Sequence, residues 1–174
     1  KGRRWGALSD VPATNSQLAE GEKEVADSSS APFKLFKAVT ERLESRITRI
    51  ARERAFRLSV LENFGMTCAF TGRMMITPGG ANGLDAAHIV PISSRGTDDM
   101  RNGLAISKEL HWAFDRGLVA VRDGRVAVAS GIMKDERNAY LQSFSGKLLQ
   151  GLPMLKTSLS PEALNWHYDN VFLG

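Results

Sequence analysis

Hydrophobic and polar positions divide the chain into stretches of different period. From about Gly6 to Ala31 apolar residues are too sparse to form a helix face, and Ser28-Ser29-Ser30 reads as a flexible tract. Residues 1–31 are therefore expected to be a linker or extension. From Phe33 to Phe64 the pattern turns helical: Phe36, Val39, Leu43, Ile47 and Ile50 follow at steps of three or four. This spacing predicts a helical segment over 32–65, with Gly65 placed to end it in a left-handed cap.

Beyond it, over 66–174, the elements become short and mixed. Met66 to Phe70 reads as a strand, Thr71-Gly72 as a turn, and Met75 to Gly83 as a loop rich in Gly, Pro and Asn. Leu84 to Val90 reads as a strand that Pro91 ends. After a polar loop over Ile92 to Asp99, Asn102 to Ile106 is a second extended piece and Lys108 to Asp115 a short helix. Ser107 is placed as its N-cap and Gly117 closes it. Arg122-Asp123-Gly124 is a turn between Leu118–Val121 and Arg125–Ala129, which predicts a hairpin. A helix is expected near Asp135 to Leu149. Another runs from Ser160 or Pro161 to Phe172, where Ser160 can cap and Pro161 suits the first turn. No internal repeat is visible. The fold class is α+β.

Composition narrows the picture modestly. The chain has 174 residues, enough for one ordinary domain with extensions. Lysine plus arginine number 23 against 19 acidic residues, a weak bias toward polyanionic partners. The basic residues between Lys34 and Arg57 suit a solvated helix face with i,i+4 ion pairs as well as a helix that tracks a phosphate backbone. A single cysteine, Cys68, can form neither an internal disulfide nor a four-cysteine zinc knuckle. No apolar run is long enough for a membrane span, and the basic start, Lys1 to Trp5, has no apolar core behind it. A cytoplasmic location without membrane partners is expected.

The chemistry concentrates in one segment. Two of the three histidines, His88 and His111, fall within it, with Asn102 between them, fourteen residues after the first and nine before the second. Four words surround them in order: CAFTG at 68–72, DAAHIVP at 85–91, RNGLAIS at 101–107 and LHWAFDRGL at 110–118. Together they resemble the HNH (ββα-metal) endonuclease family, in the variety attached to bacterial restriction-type proteins. The tail LNWHYDNVF, 164–172, also resembles the ending of those domains.

The resemblance implies a ββα-metal core between the basic helix and C-terminal helices, and a metal-dependent endonuclease that hydrolyses DNA phosphodiesters, leaving a 5′-phosphate. It implies that His88 is the general base, that Asn102 ties the loop and so orients His88, and that His111 binds a divalent ion: magnesium, manganese or nickel. Asp115, one helical turn after His111, shares its face and is the expected second ligand. Residue chemistry agrees, since imidazole titrates near neutral pH and also ligates divalent metals. Arg73, Arg95 and Arg101 are candidate phosphate contacts. DNA is the expected partner. An upstream targeting domain is expected by the same resemblance, and a double-strand cut with one site per chain points to a homodimer or to sequential nicking.

The chain departs from the family at Ala87, where many members carry a metal ligand. Asp85, on the same strand face, is the alternative donor. The departure keeps a second function open, a nucleic-acid-binding module that retains the fold without catalysis. His167 is read as structural, Asp98 and Asp99 as solvated loop residues, and Met74-Met75 as core or loop filler.

Overall fold

A computed structural model describes residues 14–36 and 46–174. Val39 and Leu43 of the expected helical stripe, and the basic start of the chain, lie outside these residues. The architecture is α+β. Among the described residues, five helices, α1 (Asn15–Ser30), α2 (Arg46–Asn63), α3 (Lys108–Asp115), α4 (Ala139–Gln142) and α5 (Pro161–Asn170), surround two small sheets. Strands β1 (Leu84–His88) and β2 (Gly103–Ser107) form one antiparallel pair, and β3 (Val119–Arg122) and β4 (Arg125–Val128) the other.

α1 replaces the expected linker over 15–30. Thr14 and Gln17 form a reciprocal capping box at its start. Its contact with α2 is made by buried Gly21 and Val25, not by a broad apolar stripe. A Cβ at Gly21 would stand 3.0 Å from the Ala51 carbonyl carbon, so a missing side chain lets the two backbones approach. A hydrophobicity pattern does not register that kind of contact.

α2 buries Ala51, Ala55, Phe56, Val60 and Leu61, and Gly65 follows it with φ of 57°. The helix does not extend back to Phe33. Residues 32–34 run without helix, and Phe36 makes an antiparallel bridge with Gly96. The strand expected at Met66 to Phe70 is a set of turns. The chain doubles back there, with the Cys68 amide bonded to the Arg73 carbonyl, and only the Ala69 amide reaches β2, at Ala105.

The β1–β2–α3 unit follows the sequence reading closely. β1 and β2 pair in the register Leu84↔Ser107 to His88↔Gly103, and α3 leaves β2 with no intervening loop. Ser107 occupies the N-cap without a side-chain bond to the helix. Asp123 (φ 51°) and Gly124 (φ 71°) turn the β3–β4 hairpin, as Asp-Gly predicts. The helix expected over 135–149 is cut short at Gln142. Lys147 accepts from the Val126 amide and Leu149 donates to the Gly124 carbonyl, so this stretch lies along the hairpin's edge. α5 starts as expected, its Ser160 hydroxyl accepting from the Ala163 amide.

One core joins these elements, with Phe56, Phe64, Phe70, Leu104, Ile106 and Phe114 fully enclosed. No helix among the described residues is long and apolar enough to cross a membrane.

Candidate active site

β1 ends at His88, and alternation along a strand puts Leu84, Ala86 and His88 on one face, Asp85 and Ala87 on the other. α2 covers the His88 face. Gly103 faces His88 across the pair, and a Cβ there would collide with Val60 and Phe56. The glycine therefore lets α2 close onto the sheet. The Phe56 ring then stacks on the His88 imidazole, centroids 3.9 Å apart and planes within 10°.

The edge of that imidazole is held as well. Nε2 of His88 lies 3.0 Å from Oδ1 of Asp98, and Oδ2 of Asp98 lies 3.0 Å from Nε of Arg52 on α2. A carboxylate paired with a guanidinium accepts, so Nε2 carries a proton, and in the neutral ring Nδ1 keeps the lone pair. Nδ1 has no hydrogen-bond partner among the described residues. The His88 side chain remains 17% exposed.

Asn102 is fully buried and makes the bonds that shape this turn. Its Oδ1 accepts from the Val90 amide at 2.8 Å, while Nδ2 donates to the carbonyls of Val90 (3.2 Å) and Thr97 (2.9 Å). Its own carbonyl accepts from Ile89. One amide side chain thus ties both ends of the loop carrying Asp98 to the end of β1.

Asp98 and Asp99 are not solvated. The Asp98 side chain is 10% exposed in its pairing with His88 and Arg52. Asp99 is buried and accepts from the Arg101 backbone and guanidinium. The pairing with Asp99 holds the Arg101 guanidinium above its usual pKa. Arg101 also donates to the Ser28 and Ala31 carbonyls, and lies over the Phe33 ring. It fastens the end of α1 to the loop instead of facing outward. Arg73 and Arg95 are exposed, the latter over the Phe36 ring at 5.7 Å. Of the basic residues on α2, Arg52 pairs with Asp98, and Arg57 donates to Asn82 and the Leu84 carbonyl.

On the other face of β1, α3 brings His111 beside Asp85. Nδ1 of His111 is 3.4 Å from Oδ2 of Asp85, and Nε2 is 3.5 Å from Oδ2 of Asp115. Ala87 is fully buried and contributes no donor. Among the described residues no group of three or more His, Cys, Asp or Glu side chains is arranged to hold a metal ion. The donor chemistry nevertheless fits a cation in part. A neutral imidazole has one N–H and can satisfy only one of its two carboxylates. In the neutral ring, an N–H donated to Asp85 leaves the Nε2 lone pair facing the Asp115 carboxylate, and an imidazole nitrogen and a carboxylate are donors that would suit a divalent cation. A carboxylate that receives the remaining N–H of a ligating histidine is a common support for metal sites.

His167 is enclosed by the core. It stacks on Phe114 with centroids 3.7 Å apart, and its Nε2–H donates to the Phe114 carbonyl at 3.2 Å. Burial pushes its pKa down to about 4. It is a structural pin between α5 and α3.

The sequence reading missed Asp98, Arg52 and Phe56. Asp98 lies ten residues after His88 in a polar loop, and nothing local marks it. Its partner Arg52 comes from another element.

Residues 68–122 match a family described as HNH endonuclease. This span contains all four words that carried the resemblance, and the tail at 164–172 lies beyond it. A solved structure titled "Modification dependent TagI restriction endonuclease" shares the fold, with a TM-score of 0.52 at 19% identity. The match covers 67% of this chain and spans only 37% of the length of that one. No curated protein matches the chain. The resemblance to HNH endonucleases and the α+β fold both stand as read from the sequence.

Proposed function

We propose that the chain is a metal-dependent endonuclease that hydrolyses DNA phosphodiesters, and that it is the nuclease part of a restriction-type protein. The observation that carries the reading is the pairing of His88 with Asp98, both inside the segment that matches the HNH family, with Arg52 of α2 holding Asp98 from outside it. With Nε2 donating to Asp98, the Nδ1 lone pair is the base that takes a proton from water. Phe56 on the ring face and Asn102 under the turn fix where that lone pair points. His111 and Asp115 would hold the divalent ion, magnesium, manganese or nickel, and Asp85 would orient His111. A divalent ion bound there supplies charge neutralisation at the phosphate and the leaving oxygen. Arg73 and Arg95 are exposed and available to phosphates, while Arg101 is engaged internally. A homodimer and a separate targeting domain belong to this proposal as partners. The restriction-type role rests on the motif words, since the structural likeness speaks for the fold.

The experiment is cleavage of supercoiled plasmid by the purified chain with EDTA, magnesium, manganese or nickel, beside His88→Ala. Nicking that requires metal and drops at least ~10²-fold in the variant is the expected result. One observation favours a second reading, a binding module without catalysis: the His88 and His111 groups lie on opposite faces of β1, with no bond joining them among the described residues. Plasmid binding without cutting under any metal would select it.

A further inference from the structure

α3 carries more than its two expected metal ligands. Trp112, next to His111, is 59% exposed, although tryptophan is among the side chains that gain most from burial. Its ring meets no other aromatic ring or cation among the described residues. Lys108 stands one turn before it and Arg116 one turn after, and both are exposed. The Arg116 amide still bonds to the Trp112 carbonyl, so the helical spacing holds to that point. Successive residues four apart rotate by about 40°, which puts Lys108, Trp112 and Arg116 in one stripe about 12 Å long. Neither cation has an ion-pair partner among the described residues. The neighbouring acids are engaged: Asp115 lies against His111, and Glu109 accepts from the Tyr140 hydroxyl at 3.2 Å.

We propose that this stripe is a single-strand contact surface, in which Trp112 stacks on an unpaired DNA base while Lys108 and Arg116 grip the flanking phosphates. The proposal rests on the endonuclease reading for its choice of partner, and it names the substrate class of that site: DNA with an unstacked base beside the cut. An indole face offers nothing to a duplex whose base faces are already stacked, whereas an unpaired base has a face to give. Cations one turn on either side of an aromatic ring match a strand in which phosphates alternate with bases.

The test is binding of the full chain to a labelled single-stranded oligonucleotide and to its duplex, in EDTA so that no cleavage intervenes. Tryptophan emission and anisotropy are read together. Single strand is expected to bind more tightly than duplex and to quench emission. Trp112→Ala should weaken single-strand binding by on the order of tenfold, with Trp112→Phe retaining most of it. Lys108→Ala with Arg116→Ala should flatten the slope of log affinity against log salt by about 1.4. Unchanged single-strand affinity in Trp112→Ala, or an equal loss on duplex and single strand, would overturn the proposal. Because no metal is present, these results are independent of plasmid cutting: the stripe can hold while the nuclease reading fails, and the reverse.

Discussion

The two histidines of the motif stand in opposite environments. His88 is gripped on its face by Phe56 and on its edge by Asp98, which is itself held by Arg52, and only a small part of it meets solvent. His111 is more open, with a carboxylate near each ring nitrogen at 3.4 and 3.5 Å and no ring stacked on it among the described residues. The first arrangement fixes a tautomer and a direction. The second leaves the ring partly open to solvent. A base that must present one lone pair gains from rigidity, and a ligand that must admit a hydrated cation gains from access.

Exchanging one oxygen on each side tests this contrast most strongly. Asp98→Asn keeps the shape and removes the carboxylate that selects the tautomer of His88. Turnover on plasmid should fall on the order of 10²-fold, with KM and metal affinity unchanged. If metal affinity falls instead, the division of labour is wrong. Asp85→Asn should act on the other quantity, weakening metal affinity about 10- to 100-fold while saturating metal restores turnover. Calorimetric titration of manganese against both variants reads the difference directly.

The supports of the two sides also separate. His167 pins the carrier of His111 in a neutral state, its pKa lowered by burial to about 4. The unfolded chain takes up that proton below about 6.5 and the folded chain only below about 4. The stability that depends on neutral His167 is therefore complete above pH 6.5 and is lost as pH falls toward 4, by roughly 3 kcal/mol in all. Chemical denaturation at pH 7.5, 5.5 and 4.5 should show this slope, and His167→Gln should flatten it. An identical slope in the variant would assign it to other groups. The smallest effect belongs to the wall of His88. Gly103→Ala drives a methyl group into Val60 and Phe56 and should cost about 1–3 kcal/mol in thermal unfolding. Turnover should fall with it, because Phe56 no longer seats on the imidazole. A stabilised variant with full turnover would show that the close approach is not needed.

The same contrast explains what was legible in the sequence. Strand, turn and helix around His88, Asn102 and His111 are local features, and α3 begins and ends as Lys108 to Asp115. His111 and Asp115 are related by helical spacing alone. The cradle of His88 is not local: Arg52 and Phe56 come from a helix more than thirty residues earlier, and a loop aspartate gives no sign of such a partner. α1 stayed hidden because its contact is a glycine, and the helix expected over 135–149 was lost to an edge pairing with residues 124–126 that no periodicity encodes. Arg101 looked outward by charge, yet its bonds run to Asp99 and to backbone carbonyls at the end of α1.

Gly117 adds a consequence in the dimension of time. Its φ is 67°, a Cβ there would strike the Val171 carbonyl, and its own carbonyl accepts from the Leu173 amide. α3 is thus clasped at its far end by residues made more than fifty positions later, while the walls of His88 are synthesised before it. On a ribosome that releases the chain from its N-terminal side, the residues that wall His88 emerge before α3, and those that clasp α3 emerge well after it. A nascent chain that has reached only residue 160 therefore carries the residues that wall His88 without those that fasten α3.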